Sequence, residues 1–469
     1  MRVRALRLGE PHAPSAVVFD ESSSCWVALA PALHWRQSRA ALSSLPQSVK
    51  ADNSLLNASR SLITLLAADP SVRDAALALV RSAAVERWDG CIVRPSQLEP
   101  LPFQPLSFRD AGLYKRHLKQ SVAGFVPLMR AQGHLLQAIG MLLTKPLRLP
   151  DGLNSASRPA FYIGNPLTFI ADGDLVAWPS HCEPGDYWKT APESGGRSGC
   201  LDYELEVAVL ITRPVSPRAE PEEVTAAIGG FVLINDFSAR CTQADELLSV
   251  SFGFVKSKSF ATSMASSVVS ADELWHPGDK GQLFSGSGLC CDVMVNGEPR
   301  RGSSGRSANT AKEERTCSLE ALVAFCALDE GLQPGELIGL GTVPDCCGLE
   351  LNRLLRPGDE VTLRVEKLGT LTNKIGHPRE GAVPFKHIDC SSGGAPLPGR
   401  LRTAARLLVS ALIVPPLLFS AFVVGAIATL VWPSGPLALK GGTPAPAERV
   451  AVARSLTMGV RRAPATMGE

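Results

Sequence analysis

The sequence predicts an α+β fold that is strand-rich and carries a small N-terminal β/helical domain. Three observations predict it. Short apolar runs separated by turn signals fill residues 160–376, two longer stretches with apolar residues at helical spacing precede them, and short apolar alternations occupy about the first 35 positions. A chain of 469 residues that is 45% hydrophobic can bury one large core and a smaller second one.

The alternations VRALRL, SAVVFD and CWVALA, with turn residues between them, predict a small β unit at the start. Residues 61–88, SLITLLAADPSVRDAALALVRSAAVERW, then have helical spacing, with Asp69-Pro70-Ser71 as a break and restart. A second such run, LYKRHLKQSVAGFVPLMRAQGHLLQAIGMLL, covers 113–143, and Gly, Pro and Ser residues around 149–159 close an N-terminal domain at residues 1–150. The domain at 151–376 is built from FYIGNPLTFI, ELEVAVLIT, GGFVLIND, CCDVMVNG, LIGLGTV and EVTLRVEKLGTLTN. The turn signals HPGD (276–279), QPGE (333–336) and RPGD (356–359) each place a Pro at turn position i+1 with Gly after it, so a mixed-sheet core is expected.

A linker at 377–406 leads to LLVSALIVPPLLFSAFVVGAIATLVW, residues 407–432, which holds no charged residue. It exceeds the roughly 20 residues a bilayer-spanning helix needs, and is expected to be a transmembrane helix in spite of Pro415 and Pro416. Arg400, Arg402 and Arg406 precede it and Lys440 follows, which puts the large N-terminal part on the cytoplasmic side of a membrane-anchored chain. A buried helix in a cytoplasmic protein is the alternative. The Gly/Pro/Ala-rich residues 433–469 are expected to be a disordered tail.

Lys and Arg number 47 against 45 Asp and Glu, a formal net charge of +2, and no basic run is interleaved with aromatics. That balance argues against a nucleic-acid partner. Twelve cysteines would predict disulfides in a secreted chain, but the start MRVRALRLGEPHAP shows no apolar signal region, so a reducing compartment is expected. The doublets Cys290-Cys291 and Cys346-Cys347 lack C-x-x-C spacing and are read as packing residues.

The chemistry starts at LDYELEVAVLI, residues 201–211, where Glu204 and Glu206 point to the same face of a strand. Burying two unpaired carboxylates costs several kcal/mol each or forces one to hold a proton. A basic partner, a bound metal or an exposed strand edge would each answer this, and for two glutamates alone the exposed edge is the commoner arrangement. Asp236, at the end of the apolar run VLIND, is a third carboxylate that a sheet could bring beside them. Three hard oxygen ligands suit Mg2+, Mn2+ or Ca2+.

Taken in order, FYIGNP, DYELE, NDFSAR followed by Gln243, KSKSF, GTV, CGLEL and LRPGDEVTL resemble the fumarylacetoacetate hydrolase superfamily, over about residues 105–376. The resemblance implies a fumarylacetoacetase-like mixed β-sheet roll, a homodimer, and a metal held by Asp110, Glu204, Glu206 and Asp236. It implies His117 as catalytic base, seven residues after Asp110 in SFRDAGLYKRH, with Glu350 orienting it and Lys258 as the active-site lysine, Thr262 lying near. Tyr162, Arg240, Gln243 and Thr342 match residues that line the substrate pocket. Plain structural alternatives are a surface or packing histidine for His117, turn hydrogen bonds for Gln243 and Thr342, and a core position for Tyr162, while Lys256 is either a substitute for Lys258 or a solvated charge. Two departures stand out, Cys241 in place of a common Asp and the charged segment SANTAKEERTCS at 307–318.

The expected function is metal-dependent hydrolysis of a carbon–carbon bond in a small β-diketo acid of the fumarylacetoacetate or acylpyruvate type. The alternatives are an oxaloacetate-type decarboxylase, isomerase or hydratase of the same superfamily, or a non-catalytic membrane-anchored binding protein.

Overall fold

Two apolar runs define the centre of the molecule. Every residue of strand β10 (Glu204–Ile211) and of strand β11 (Ile228–Asp236) is buried, as expected for near-continuous apolar segments in a sheet covered on both faces. The computed structural model describes residues 1–5, 15–42, 53–88, 90–131, 158–180, 201–248, 253–276, 284 and 288–377. All lie within a unit spanning Met1–Ile388; a second unit, Asp389–Glu469, falls outside the described residues, and with it the apolar stretch 407–432 and the tail. Among the described residues no helix is long and apolar enough to cross a membrane.

The described strands form three sheets. The large one runs in the order β4 (Ile92–Val93), β3 (Cys25–Ala28), β2 (Ala16–Asp20), β1 (Arg2–Ala5), β14 (Val268–Ser270), β11, β10, β18 (Leu337–Cys347), β5 (Phe108–Ala111) and β6 (Phe161–Gly164). Strand β13 (Thr262–Met264) pairs with β11 and, in parallel, with β7 (Phe169–Ala171). The β18–β5 pair is also parallel whereas β10 is antiparallel to both its neighbours, so the sheet is mixed. A second sheet orders β16 (Glu298–Arg300), β15 (Cys290–Val295), β19 (Glu360–Val365), β20 (Gly369–Ile375) and β8 (Leu175–Val176), with β17 (Ala308–Asn309) against β15. A two-stranded ribbon joins β9 (Leu201–Asp202) to β12 (Ser238–Ala239).

The strands near the start of the chain extend the large sheet: β1 lies antiparallel to β14, with Arg2 opposite Val269. Helices α1 (Leu29–Leu42), α2 (Asn53–Ala58), α3 (Leu62–Ala67) and α4 (Pro70–Val85) follow. The Asp69-Pro70-Ser71 break falls between α3 and α4, where Pro70 takes the first helical turn and its missing N–H costs nothing. Helix α5 (Lys115–Ala131) carries the second periodic run as far as it is described. Helices α6 (Pro221–Ala227), α7 (Arg240–Leu248), α8 (Leu319–Ala327) and the short α9 (Gly348–Leu351) complete the set among the described residues.

One expected strand is divided. FYIGNPLTFI forms β6, then a 3-10 turn at Pro166–Thr168, then β7. Pro166 has no N–H for a ladder, and the Asn165 side chain caps the turn by accepting from the Leu167 N–H at 3.1 Å. The consequence is that β6 and β7 serve two different neighbours, β5 and β13.

Candidate active site

Adjacent strands lay the acidic residues side by side. Asp236 closes β11, Glu204 and Glu206 open β10, Thr342 lies opposite Glu206 on β18, and Asp110 on β5 pairs with Gly339 on one side and Tyr162 of β6 on the other. Neighbouring strands are about 4.8 Å apart, so residues distant in sequence meet in a row across the sheet. The β10–β18 register shifts on both sides of Glu206, and such bulges re-aim side chains. Gly339 makes room for Asp110: a Cβ there would lie 2.1 Å from Asp110 Oδ1.

The Asp110, Glu206 and Asp236 carboxylates form a cluster whose oxygens lie within 4.8 Å of one another. Thr342 donates its hydroxyl to Glu206 Oε1 at 3.0 Å, and Tyr162 donates to Asp236 Oδ2 at 2.7 Å. Asp110 Oδ1 and Glu206 Oε2 are buried with no hydrogen-bond partner. Burial, and after it the Asp236 charge, pushes the Asp110 carboxyl up to about 7. Burial and the neighbouring carboxylates, Asp110 first, hold Glu206 well above its ordinary range. Asp236 is also raised by burial, against the opposing pull of the Lys258 ammonium.

Glu204 stands apart from that cluster. Arg240 Nη2 donates to its Oε1 at 2.6 Å, and Lys258 Nζ bonds to its Oε2 and bridges to Asp236 Oδ2. Burial alone would raise Glu204, but the Arg240 and Lys258 charges hold it well below the usual carboxylate range. The structure therefore brings together three of the four expected metal ligands and sets the fourth on two cations. Asp110, Asp202, Glu204, Glu206 and Asp236 are buried around Arg240 and Lys258. Five carboxylates facing two cations leave excess negative charge, which protons or a metal ion must balance. The orphaned oxygens and the all-oxygen donor set fit a divalent cation of the Mg2+, Mn2+ or Ca2+ type.

His117 lies on the first turn of α5. Its Nδ1 is 2.8 Å from Glu350 Oε1, while Nε2 is 4.0 Å from Glu204 Oε1 and 3.3 Å from the Ser121 hydroxyl. The acceptor-only carboxylate assigns the ring proton to Nδ1 and leaves the Nε2 lone pair toward the pocket. Glu350 is fixed in turn, since its Oε2 accepts the Asp345 N–H at 2.7 Å. Asp345 has φ +69, and its carboxylate takes Arg116 Nη1 at 2.7 Å and Gln120 Nε2 at 2.9 Å from α5. Arg116 also grips both oxygens of Glu313, so the charged segment at 307–318 fastens the helix that carries the histidine.

These groups open on a cavity of about 320 Å³, lined by Asp110, His117, Glu204, Glu206, Lys258 and Thr342 among others, with Phe125, Phe161 and Phe254 as apolar walls. Tyr162, Arg240 and Gln243 also line it, and Arg240 Nη1 donates to Gln243 Oε1 at 2.8 Å, one turn on along α7. Lys258 is buried and Lys256 exposed. Thr262 is opposite Asp236 on β13. Cys241 is buried and disulfide-bonded, a bond that the expectation of reduced cysteines does not include.

Sequence reasoning missed Asp202. It accepts Arg240 Nε at 2.8 Å and the Gly348 and Leu349 N–H groups at 2.7 and 2.8 Å, tying the pocket arginine to the start of α9 and so to Glu350. The signal was the alternation itself: Asp202, Glu204 and Glu206 continue one period-two series. Ser121, one turn after His117, had no such mark.

A family model described as fumarylacetoacetate (FAA) hydrolase C-terminal matches residues 144–376. Among curated relatives, the oxaloacetate tautomerase YisK of Bacillus subtilis (strain 168) is 26% identical over 220 residues, 46% of this chain and 61% of that protein. The uncharacterized protein SERP0556 of Staphylococcus epidermidis is 30% identical over 177 residues, 37% of this chain and 52% of that protein. The chain thus spans about half to three fifths of the length of these relatives. Among solved structures, maleylpyruvate hydrolase from Sphingobium sp. SYK-6 aligns with a TM-score of 0.45 at 15% identity, covering 81% of this chain and all of that one. A fumarylacetoacetate hydrolase from Exiguobacterium antarcticum aligns with a TM-score of 0.45 at 16% identity, covering 80% of this chain and all of that one.

Proposed function

Since the chain belongs to the fumarylacetoacetate hydrolase family, we propose that it hydrolyses a carbon–carbon bond in a β-diketo acid of the fumarylacetoacetate or acylpyruvate type, with Mg2+ or, in its place, Mn2+ or Ca2+. The observation that carries the reading is the His117–Glu350 pair, whose Nε2, 3.3 Å from the Ser121 hydroxyl, lies on the pocket that holds the carboxylate cluster.

Asp110, Glu206 and Asp236 would hold the ion, with Glu204 beside them. When bound, such an ion withdraws charge from a keto oxygen and so favours enolate formation. His117 Nε2 takes a proton from water, and the resulting hydroxide attacks the carbonyl distal to the acid. Glu350 keeps the ring oriented and stabilises the imidazolium that forms. The carbon–carbon bond then breaks toward the keto acid, leaving an enolate whose charge Lys258 offsets. The imidazolium returns its proton to that carbon, so one water is consumed and two acids leave. Arg240 and Gln243 orient the substrate, together with the Tyr162 and Thr342 hydroxyls.

With Mg2+ present, acylpyruvate hydrolysis should fall about 10²–10⁴-fold in His117→Ala and be lost in Glu204→Ala. Full activity in both variants would sink the assignment. The match to an oxaloacetate tautomerase favours keto–enol exchange as the second reading. That reaction needs no hydroxide, so a silent His117→Ala with activity on oxaloacetate would select it.

A further inference from the structure

At the Nδ1 edge of His117 lies a second group of ligands with different chemistry. A ring nitrogen of His117, Sγ of Cys347 and a carboxylate oxygen of Glu350 lie within 4.8 Å of one another. Cys347 ends β18 and Glu350 lies on α9 just after it, so one strand-to-helix junction presents both to the ring on α5. Nδ1 is the nitrogen that faces Glu350, 2.8 Å from its Oε1, while Nε2 faces Glu204. Cys347 is fully buried and does not line the pocket, so the proposed hydrolysis gives it no part.

We propose that His117, Cys347 and Glu350 form a second metal site, which takes Zn2+ in preference to hard ions, and that filling it disables the base. An imidazole, a thiolate and a carboxylate are the donors zinc accepts, whereas Mg2+ and Ca2+ prefer an all-oxygen set like the neighbouring cluster. Zn–N and Zn–O bonds of about 2.0–2.2 Å and a Zn–S bond of about 2.3 Å put tetrahedral ligand atoms roughly 3.3–3.8 Å apart. The 2.8 Å Nδ1–Oε1 contact would open by about half an ångström to reach that spacing. On binding, the thiol gives up its proton to solvent and the ring proton moves from Nδ1 to Nε2, so the charge of the ion is balanced by thiolate and carboxylate beside a neutral imidazole. His117 is 12% exposed and lines the pocket, which provides a way in.

The consequence for the base follows from the ring's tautomers, and rests on the hydrolase reading. With Nδ1 bound to metal, a neutral imidazole must carry its proton on Nε2. The lone pair that would accept a proton from water is then gone.

The test uses the full chain with Mg2+ in saturating excess and Co2+ as a coloured substitute for Zn2+. One equivalent of Co2+ should produce a thiolate-to-cobalt absorption band that Zn2+ abolishes, and Zn2+ should bind at least tenfold more weakly to Cys347→Ser, Cys347→Ala and His117→Gln. A stabilisation by Mg2+ retained in a variant shows that it is folded, and three substitutions guard against one that is not. No band in the wild type, or an unchanged band in the folded Cys347 variants, would overturn the proposal. Because the readout needs no substrate, it stands or falls separately from the hydrolase reading.

Discussion

Asp110 shows how a single position reports on the excess negative charge of the carboxylate cluster. Its carboxyl is pushed from an ordinary 3.8 to about 7 by burial and by Asp236. A carboxyl raised on folding contributes stability that is fully present below its ordinary value and is lost as pH rises through about 7. Metal-free protein should therefore be less stable at about pH 8 than at about pH 5 as far as this group decides, and Mg2+ should raise the melting temperature more at the higher pH. Asp110→Asn should stabilise the metal-free protein at about pH 8 by about 2–4 kcal/mol, and abolish most of the Mg2+ response. Thermal melts of both proteins with and without Mg2+ check the pair of signs. Lys258→Met should act in the opposite direction: it leaves Glu204 and Asp236 without their shared cation, a loss of about 3–5 kcal/mol in chemical denaturation.

At the scale of elements, the junction of β18 with α5 and α9 sets the base. Arg116 and Gln120 of α5 hold Asp345, whose N–H holds Glu350, whose carboxylate holds His117. Arg116→Gln should lower kcat about tenfold with little change in KM, since it loosens the base and leaves the carboxylates and Arg240 in place. Steady-state kinetics on an acylpyruvate separates the two constants. Gly341 permits the approach of β5 to β18: it has φ +86, and a Cβ there would meet Ala111 O at 2.3 Å. Gly341→Ala should cost about 1–3 kcal/mol in denaturant unfolding. Strand alternation in DYELE placed Glu204 and Glu206 on one face, whereas the pairing of His117 with Glu350 was implied only by the family resemblance of SFRDAGLYKRH and CGLEL. The bridge from Lys258 to both Glu204 and Asp236 was not legible, since strand pairing between distant segments decides which carboxylate meets which cation. Nor was the role of Asp345, a positive-φ residue that no motif marks, or the Pro166 break, where one missing donor outweighs an apolar run.

For the whole molecule, the large sheet joins segments from near the start of the chain to residue 347 and brings Asp110 and His117 against carboxylates about a hundred residues later. The α+β class and the mixed sheet were readable from apolar runs and turn signals, because each is a local property; the order of strands is not local and emerged only in the fold. The apolar stretch 407–432 retains its own prediction. If it anchors the chain, Val423→Arg should move the protein from the membrane to the soluble fraction, as a central arginine costs about 2.5–3.5 kcal/mol on insertion. An unchanged distribution would argue against that anchor.

The central claim is that His117, held by Glu350, directs water onto a β-diketo acid beside a bound divalent ion. Turnover of an acylpyruvate in heavy-oxygen water with Mg2+ tests it most directly, with the products weighed by mass spectrometry. The account predicts two acids, with one heavy oxygen in the carboxylate released from the acyl side, and formation of this product about 10²–10⁴-fold slower in His117→Ala. Intact substrate showing only keto–enol exchange, or equal cleavage by His117→Ala, would contradict it.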